Sequence, residues 1–432
     1  MDSLWLDTSA LPRFEPLGQD IETDVLIIGG GLAGVLCAYM LHQAGVDYAL
    51  VEADRICRGT TGNTTAKITA QHGLVYDNIL RTYGHEAAVL YLRANQEALE
   101  KYRALCKDID CDFCEQDNFV YSLNNRRALE REQEALKDLG FAAELVERTP
   151  LPFPVAGALR FGQQAQFHPL KFVSAIAPGL RIYEDTKVLE LMSGMAMTNR
   201  GRIRARKIVV ATHFPLLNKH GAFFLKLYQS RSYVLALRDA PELDGMYVDE
   251  ADKGLSFRRW GDLLLLGGGG HRTGKKGGGW RELSVFAARN WPRAREVYRW
   301  AAQDCMSLDG IPYIGRYAPD TSGLYVATGF NKWGMTSSMV AAQLLSDLLQ
   351  SKPSPYAELF APYRSMLHAQ LALNALETAV SFVTPTVPRC PHLGCALKYN
   401  AQEHSWDCPC HGSRFTENGK LIENPATDDK KM

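Results

Sequence analysis

The chain has 432 residues, 46% of them hydrophobic and 22% charged, enough to bury a large core in more than one domain. Its 48 Lys and Arg cancel 48 Asp and Glu, so no long-range field draws it to nucleic acid or to an anionic surface. The segment before Thr23 lacks a basic stretch followed by an apolar run, and no later stretch approaches the roughly 18 apolar residues of a membrane span. The expectation is a cytoplasmic protein whose partners are neither nucleic acid nor membrane.

From Thr23 the run TDVLIIGGGLAGVLCAYMLHQAG predicts a buried strand, a glycine turn and a helix, and Asp47 to Glu52 predicts a second strand. Gly29, Gly31 and Gly34 form GxGxxG where strand meets helix, so the backbone can turn tightly and approach a pyrophosphate. Glu52 ends the next strand, 18 residues beyond Gly34, where a carboxylate can bind ribose hydroxyls. Such a turn also arises from packing alone, but strand, helix and acid together predict a dinucleotide site.

Helical patterns follow at His85–Cys106 and Arg126–Asp138, and LPFPVAG breaks them, so helices should dominate this insertion. Short runs such as RIYEDTKVLEL, KIVVATH and RSYVLAL between about 157 and 266 predict a mixed sheet. Gly267–Gly270 and Gly277–Gly279 flank His271, Arg272, Lys275 and Lys276 and predict a mobile loop rather than a strand interior. A helix over about Ser337–Gln350 and another ending near Phe382 lead to Pro385 and Pro388, which mark a domain junction.

Six cysteines (Cys37, Cys57, Cys106, Cys111, Cys114, Cys305) are scattered and predict reduced thiols. The other four lie in CPHLGC, twelve residues, then CPCHGS, interleaved with His392 and His411. Cys390-x-His392 and Cys408-x-x-His411 offer two thiolates and two imidazoles from two loops, the donor set of a Rieske-type 2Fe-2S cluster. Zinc could use the same four ligands, and an empty remnant is the third reading.

The body resembles the D-amino-acid-oxidase-like (glycine and sarcosine oxidase) flavoproteins over most of Asp24–Leu349. The marks are IIGGGLAG, VEADRICRGTTGNTTAK, KIVVATH, LDGIPYIGR and YVATGFNKWGM. The resemblance implies that FAD lies against Thr60, Thr61, Asn63, Thr64 and Thr65, with Gly329, Phe330, Lys332, Trp333 and Gly334 returning to it. It also implies hydride transfer from the C–N bond of a small amine or amino acid to the flavin. A single GxGxxG argues against NAD(P)H as a direct substrate. Arg231, Arg272 and Lys332 are candidate cations for a substrate carboxylate, though each charge is more often structural. His72, His168 and His271 are candidate bases, and Cys305 sits near where some relatives attach flavin covalently, at a spacing from Asp309 that looks short.

The C-terminal stretch resembles a bc-complex-type Rieske domain, in which the extra pair, here Cys395 and Cys410, forms a disulfide between the loops. The strands that usually precede the first ligand loop give way here to a helical pattern, so the support of the fold looks shortened.

The whole is similar to bacterial FAD-dependent oxidoreductases with C-terminal Rieske domains. The expected class is α/β, with a Rossmann-type FAD-binding domain, a mixed-sheet substrate domain and a small Rieske-like β segment. The body spans 1–355, with FAD-binding parts at about 20–80, 155–215 and 300–350 and substrate parts at 81–154 and 216–299. A helical connector spans 356–384 and the cluster segment 385–432. Such a fusion implies a dehydrogenase whose electrons leave through the cluster to a carrier protein docked on exposed His392 and His411 edges. An O₂-using oxidase with a vestigial or zinc-bound tail, and a redox sensor, are the other classes.

Overall fold

The computed structural model describes residues 2–217, 220–385 and 388–430. Its first sheet has eight strands centred on Ile21–Ile28. That strand pairs in parallel with Gly201–Val210 on one side and Tyr48–Val51 on the other. Val25, Leu26, Ile27 and Ile28 are all buried, as a strand covered on both faces requires. Leu324–Thr328 extends the parallel set beyond Gly201–Val210, and Tyr313–Arg316 closes that edge antiparallel. Helices Leu32–Gln43 and Gly334–Leu349 pack against each other.

The second sheet has nine strands, in which Leu263–Arg272 lies between Tyr228–Arg238 and Ser256–Trp260. Gly267–Gly270 thus belongs to a strand interior, against the expectation of a loop, and only Thr273–Gly278 turns. The glycines answer to packing: a Cβ on Gly269 (φ +61°) would stand 2.4 Å from the Gly279 carbonyl oxygen. They let the helix Gly279–Asn290 lie against the sheet.

The insertion after the first βαβ unit is not helical throughout. Its helices run Tyr76–Cys106, interrupted at Gly84, and Arg126–Asp138. Between them Cys114–Ser122 joins the second sheet, paired with Gly157–Gln166. The latter strand, expected among the flavin-binding parts, therefore belongs to the second sheet, as do Lys67–Ile68 and Arg295–Met306.

After the helix Ala369–Val383, four strands of three residues each form a separate antiparallel sheet: Lys398–Asn400, Ser405–Asp407, Arg414–Thr416 and Leu421–Glu423. No helix among the described residues is long and apolar enough to cross a membrane.

Candidate active site and metal centre

One cavity of about 970 Å³ is walled by both large sheets and by the C-terminal segment. Gly29, Gly31, Glu52, Thr60, Thr61, Asn63, Thr64, Thr65, Gly329, Phe330, Lys332, Trp333 and Gly334 all line it, so sequence positions three hundred residues apart meet. Gly34 does not: its Cβ would fall 1.9 Å from the Gly29 carbonyl, so its absence of a side chain serves helix–strand contact.

The glycine end fits a dinucleotide. Gly29 (φ +109°) admits no side chain, because a Cβ would meet the Ala211 carbonyl oxygen at 2.5 Å. The helix from Leu32 begins at Gly31 without a side-chain cap, which leaves its N-terminal dipole open to the cavity. Glu52 accepts from the Gly30 amide (2.7 Å) and the Asp54 amide (3.0 Å), and burial raises its pKa. Its carboxylate therefore stands beside the glycine turn.

The part of the cavity lined by His72 and Trp333 is aromatic and polar. His72 stacks on Trp333 (centroids 5.0 Å apart) and meets Tyr91 Oη at 2.7 Å and Thr336 Oγ1 at 2.9 Å. Burial pushes it down to about 3, so it is a neutral imidazole tied to its neighbours rather than a free base. His168 caps the helix Pro169–Ile176, and His271 binds Tyr233 Oη (3.1 Å) and the Arg272 carbonyl (2.9 Å); neither is among the lining residues. Cys305 lines the cavity, with burial raising its thiol to about 12.

Sequence reasoning passed over several lining groups. Lys67, 9% exposed, donates to Thr65 Oγ1 (3.1 Å), and burial, with buried Arg258 adding repulsion, lowers it to about 7. Asp304 is raised by burial to about 6. Lys67 closes the VEADRICRGTTGNTTAK run without having been singled out there, and Asp304 lies in no pattern; only the fold turns them inward.

Of the three candidate cations, Lys332 alone lines the cavity, its Nζ 3.1 Å from the Asp252 carbonyl. Arg231 and Arg272 are not among its lining residues. Arg231, 2% exposed, pairs with Glu403 and with Glu423 (3.2 Å) of the C-terminal segment. Arg272 donates to the carbonyls of Pro409 (3.0 Å) and Cys410 (3.1 Å) and to Asn374 Oδ1 (2.9 Å). Arg231 thus holds the C-terminal segment to the body, and Arg272 holds one of its two Cys/His loops.

In those loops Gly394 N–H donates to the Cys390 carbonyl (2.8 Å) and Gly412 N–H to that of Cys408 (2.9 Å), two tight turns with glycine at positive φ. The His392 and His411 rings are 5.0 Å apart. His411 is 1% exposed with both ring nitrogens unpartnered, and burial lowers it to about 4, so it offers a neutral imidazole. A buried imidazole with no hydrogen-bond partner at either ring nitrogen has its lone pair available to a metal. The Cys390 thiol is held below its ordinary range by the Cys408 thiol beside it, with the Ser413 hydroxyl also stabilising the thiolate. The residues fit a Cys/His-held cluster. Cys395 and Cys410 are separate thiols here, and their sulfurs and that of Cys408 lie within 4.8 Å of one another.

One exposure expectation fails. His392 is half-buried, but His411 faces the body, with the rings of Phe214 and Phe224 at 6.4 and 6.3 Å. The module is turned so that one ligand edge points inward.

A family model described as FAD dependent oxidoreductase matches residues 24–348, and one described as Rieske [2Fe-2S] domain matches 379–431. A Bacillus subtilis protein named as Rieske 2Fe-2S iron-sulfur protein YhfW is 35% identical over 98% of this chain and 96% of its own. Gamma-glutamylputrescine oxidoreductase of Escherichia coli is 26% identical over 82% of this chain and 89% of its own. Among solved structures, glycine oxidase from Geobacillus kaustophilus superposes with TM-score 0.68 at 22% identity, covering 80% of this chain and 99% of that one.

Proposed function

The chain belongs to the FAD-dependent oxidoreductase family and carries a Rieske 2Fe-2S domain, and from that premise we propose that it is a dehydrogenase of a small amine or amino acid whose electrons leave through the cluster. Bound flavin supplies the hydride acceptor and bound cluster the one-electron outlet. The observation that carries the reading is the shared wall: Leu421, Ile422, Glu423, Asn424, Ala426 and Thr427 of the cluster module line the same cavity as the GxGxxG turn.

The chain's own residues divide the work. Gly29, Gly31 and Glu52 receive the dinucleotide, and Thr60–Thr65 with Gly329–Gly334 enclose the ring. Cys390, His392, Cys408 and His411 hold the metals. Of the three candidate cations Lys332 is left to meet a substrate carboxylate, while Asp304, in the same wall, offers a carboxylate to a substrate ammonium. Neutral His72 fixes Trp333 over the cavity and keeps water from that face. Glycine oxidase and gamma-glutamylputrescine oxidoreductase support the C–N substrate class.

The test is iron content and visible absorption of anaerobically purified protein beside a Cys408→Ala, His411→Ala variant. Flavin bands in both, with iron and its broad absorption only in the parent, and amine-dependent reduction of a one-electron dye lost in the variant, are the expected results. Equal dye reduction by both, or peroxide as the sole product, would make it an oxidase with a spectator tail.

A further inference from the structure

Two buried glutamines join the cavity to the metal loop. Gln303, 3% exposed, lies within the strand Arg295–Met306 and lines the cavity, where its carbonyl accepts from Thr60 Oγ1 at 3.1 Å. Its Nε2 donates to the carbonyl of Gly412, the residue after His411, at 2.9 Å, while its Oε1 accepts from Thr273 Oγ1 at 2.8 Å. Gln229, on the neighbouring strand, donates from Nε2 to the His411 carbonyl and the Asn424 carbonyl, both at 3.0 Å. The loop sits so close that a Cβ on Gly412 would reach Gln229 Cβ at 2.5 Å.

A loop held only to stay folded could satisfy these carbonyls with water. Here each is bound by a long side chain that gives up most of its rotamer freedom to make the bond. Both glutamines grip the backbone at one ligand, His411, the inward-facing one. The charge latches Arg231–Glu403 and Arg272–Cys410 flank them on the same face.

We propose that Gln303 and Gln229 are positioning residues that fix the His411 loop against the flavin cavity, so that electrons enter the cluster through this buried face without movement of the module. The inference rests on the electron route given above. Each transfer takes one electron from the reduced flavin and converts one ferric ion of the cluster to ferrous. Two transfers, with a one-electron carrier protein emptying the cluster between them, return the flavin to its oxidised form and release its proton.

The experiment uses the full chain with both cofactors. The flavin is reduced by a flash in the presence of deazaflavin and EDTA, and cluster reduction is followed by absorbance and by freeze-quench paramagnetic resonance. Gln303→Met is expected to slow the transfer by about tenfold or more, the usual scale for a misplaced reacting pair, and the double variant with Gln229→Met further still. Iron content and resonance g-values should match the parent. A parent rate that is unchanged in glycerol marks a fixed module; a rate falling in proportion to viscosity overturns the proposal even if the variants shed iron. So does a double variant that transfers at the parent rate, or one whose slowing follows altered g-values. Absence of any cluster reduction in the parent would instead refute the electron route itself.

Discussion

The flavin sheet and the cluster module reach order by opposite means. The first has eight strands and a centre of Val, Leu and Ile residues, each contributing about 1.5–3 kcal/mol on burial. The second has strands of three residues, and its core is seven buried residues of which four are the cysteines. A sheet that small does not stand alone; it borrows stability from metal ligation and from the body. The contrast explains why charge is buried at the junction: Arg231, Arg414, Glu403 and Asp407 form one network, with Arg414 2.7 Å from Glu403 and 3.0 Å from Asp407. Burying such a network costs desolvation, but it specifies one docking geometry.

The sharpest way to break the comparison is Arg231→Ala. It leaves Glu403 facing a buried gap, with a cost of about 3–5 kcal/mol. Because the arginine belongs to the body and the glutamate to the module, the loss should fall on docking. In urea, cluster bleaching by visible circular dichroism should move to lower concentration, while flavin release, read by fluorescence, stays near that of the parent. Equal shifts in both would mean that the two regions unfold as one unit.

The next effect concerns the second cysteine pair. We expect Cys395 and Cys410 to join in a disulfide in the air-purified protein, seen as a linked peptide by mass spectrometry. Closing a loop of about 15 residues is worth about 3 kcal/mol in the chain-entropy account. Changing both to serine should therefore lower the urea midpoint of the cluster and spare the flavin. A free-thiol result in oxidised protein would leave the module relying on its metals and on its contacts with the body, Arg231 and Arg272 among them.

How much of this was legible beforehand follows the same divide. The GxGxxG turn, Glu52 and the Cys/His spacing are local patterns; the structure sets Gly29, Gly31 and Glu52 in one cavity wall and the His392 and His411 rings 5.0 Å apart. Arg231 and Arg272 misled because a cation near a flavin-facing strand reads the same whether it meets a substrate or a carbonyl of another domain. The glycines at 267–270 misled because a loop and a close helix–strand contact call for the same residue. Gln229, Gln303 and Asp304 carry no pattern at all; their roles arise from pairings such as Gln229 with Cys305, set by sheet register.

The smallest expected effect is acid sensitivity of the docking. Burial pushes the Glu403 carboxyl up, but Arg231 and Arg414 pull it further the other way, so its pKa lies below the ordinary 4.5. A folded pKa that is depressed means the undocked glutamate binds its proton first. Its stabilisation is complete above 4.5 and is lost as the pH falls from there through the folded value. Between neutral pH and 5 the urea midpoint of the cluster signal should carry no slope from this group, and below 4.5 it should fall faster than the midpoint for flavin release. In Arg231→Ala the extra acid slope should shrink, because the charge that lowers the carboxyl is gone. An acid slope that persists unchanged there would assign it to carboxylates elsewhere in the module, and would leave Arg231 with a packing role.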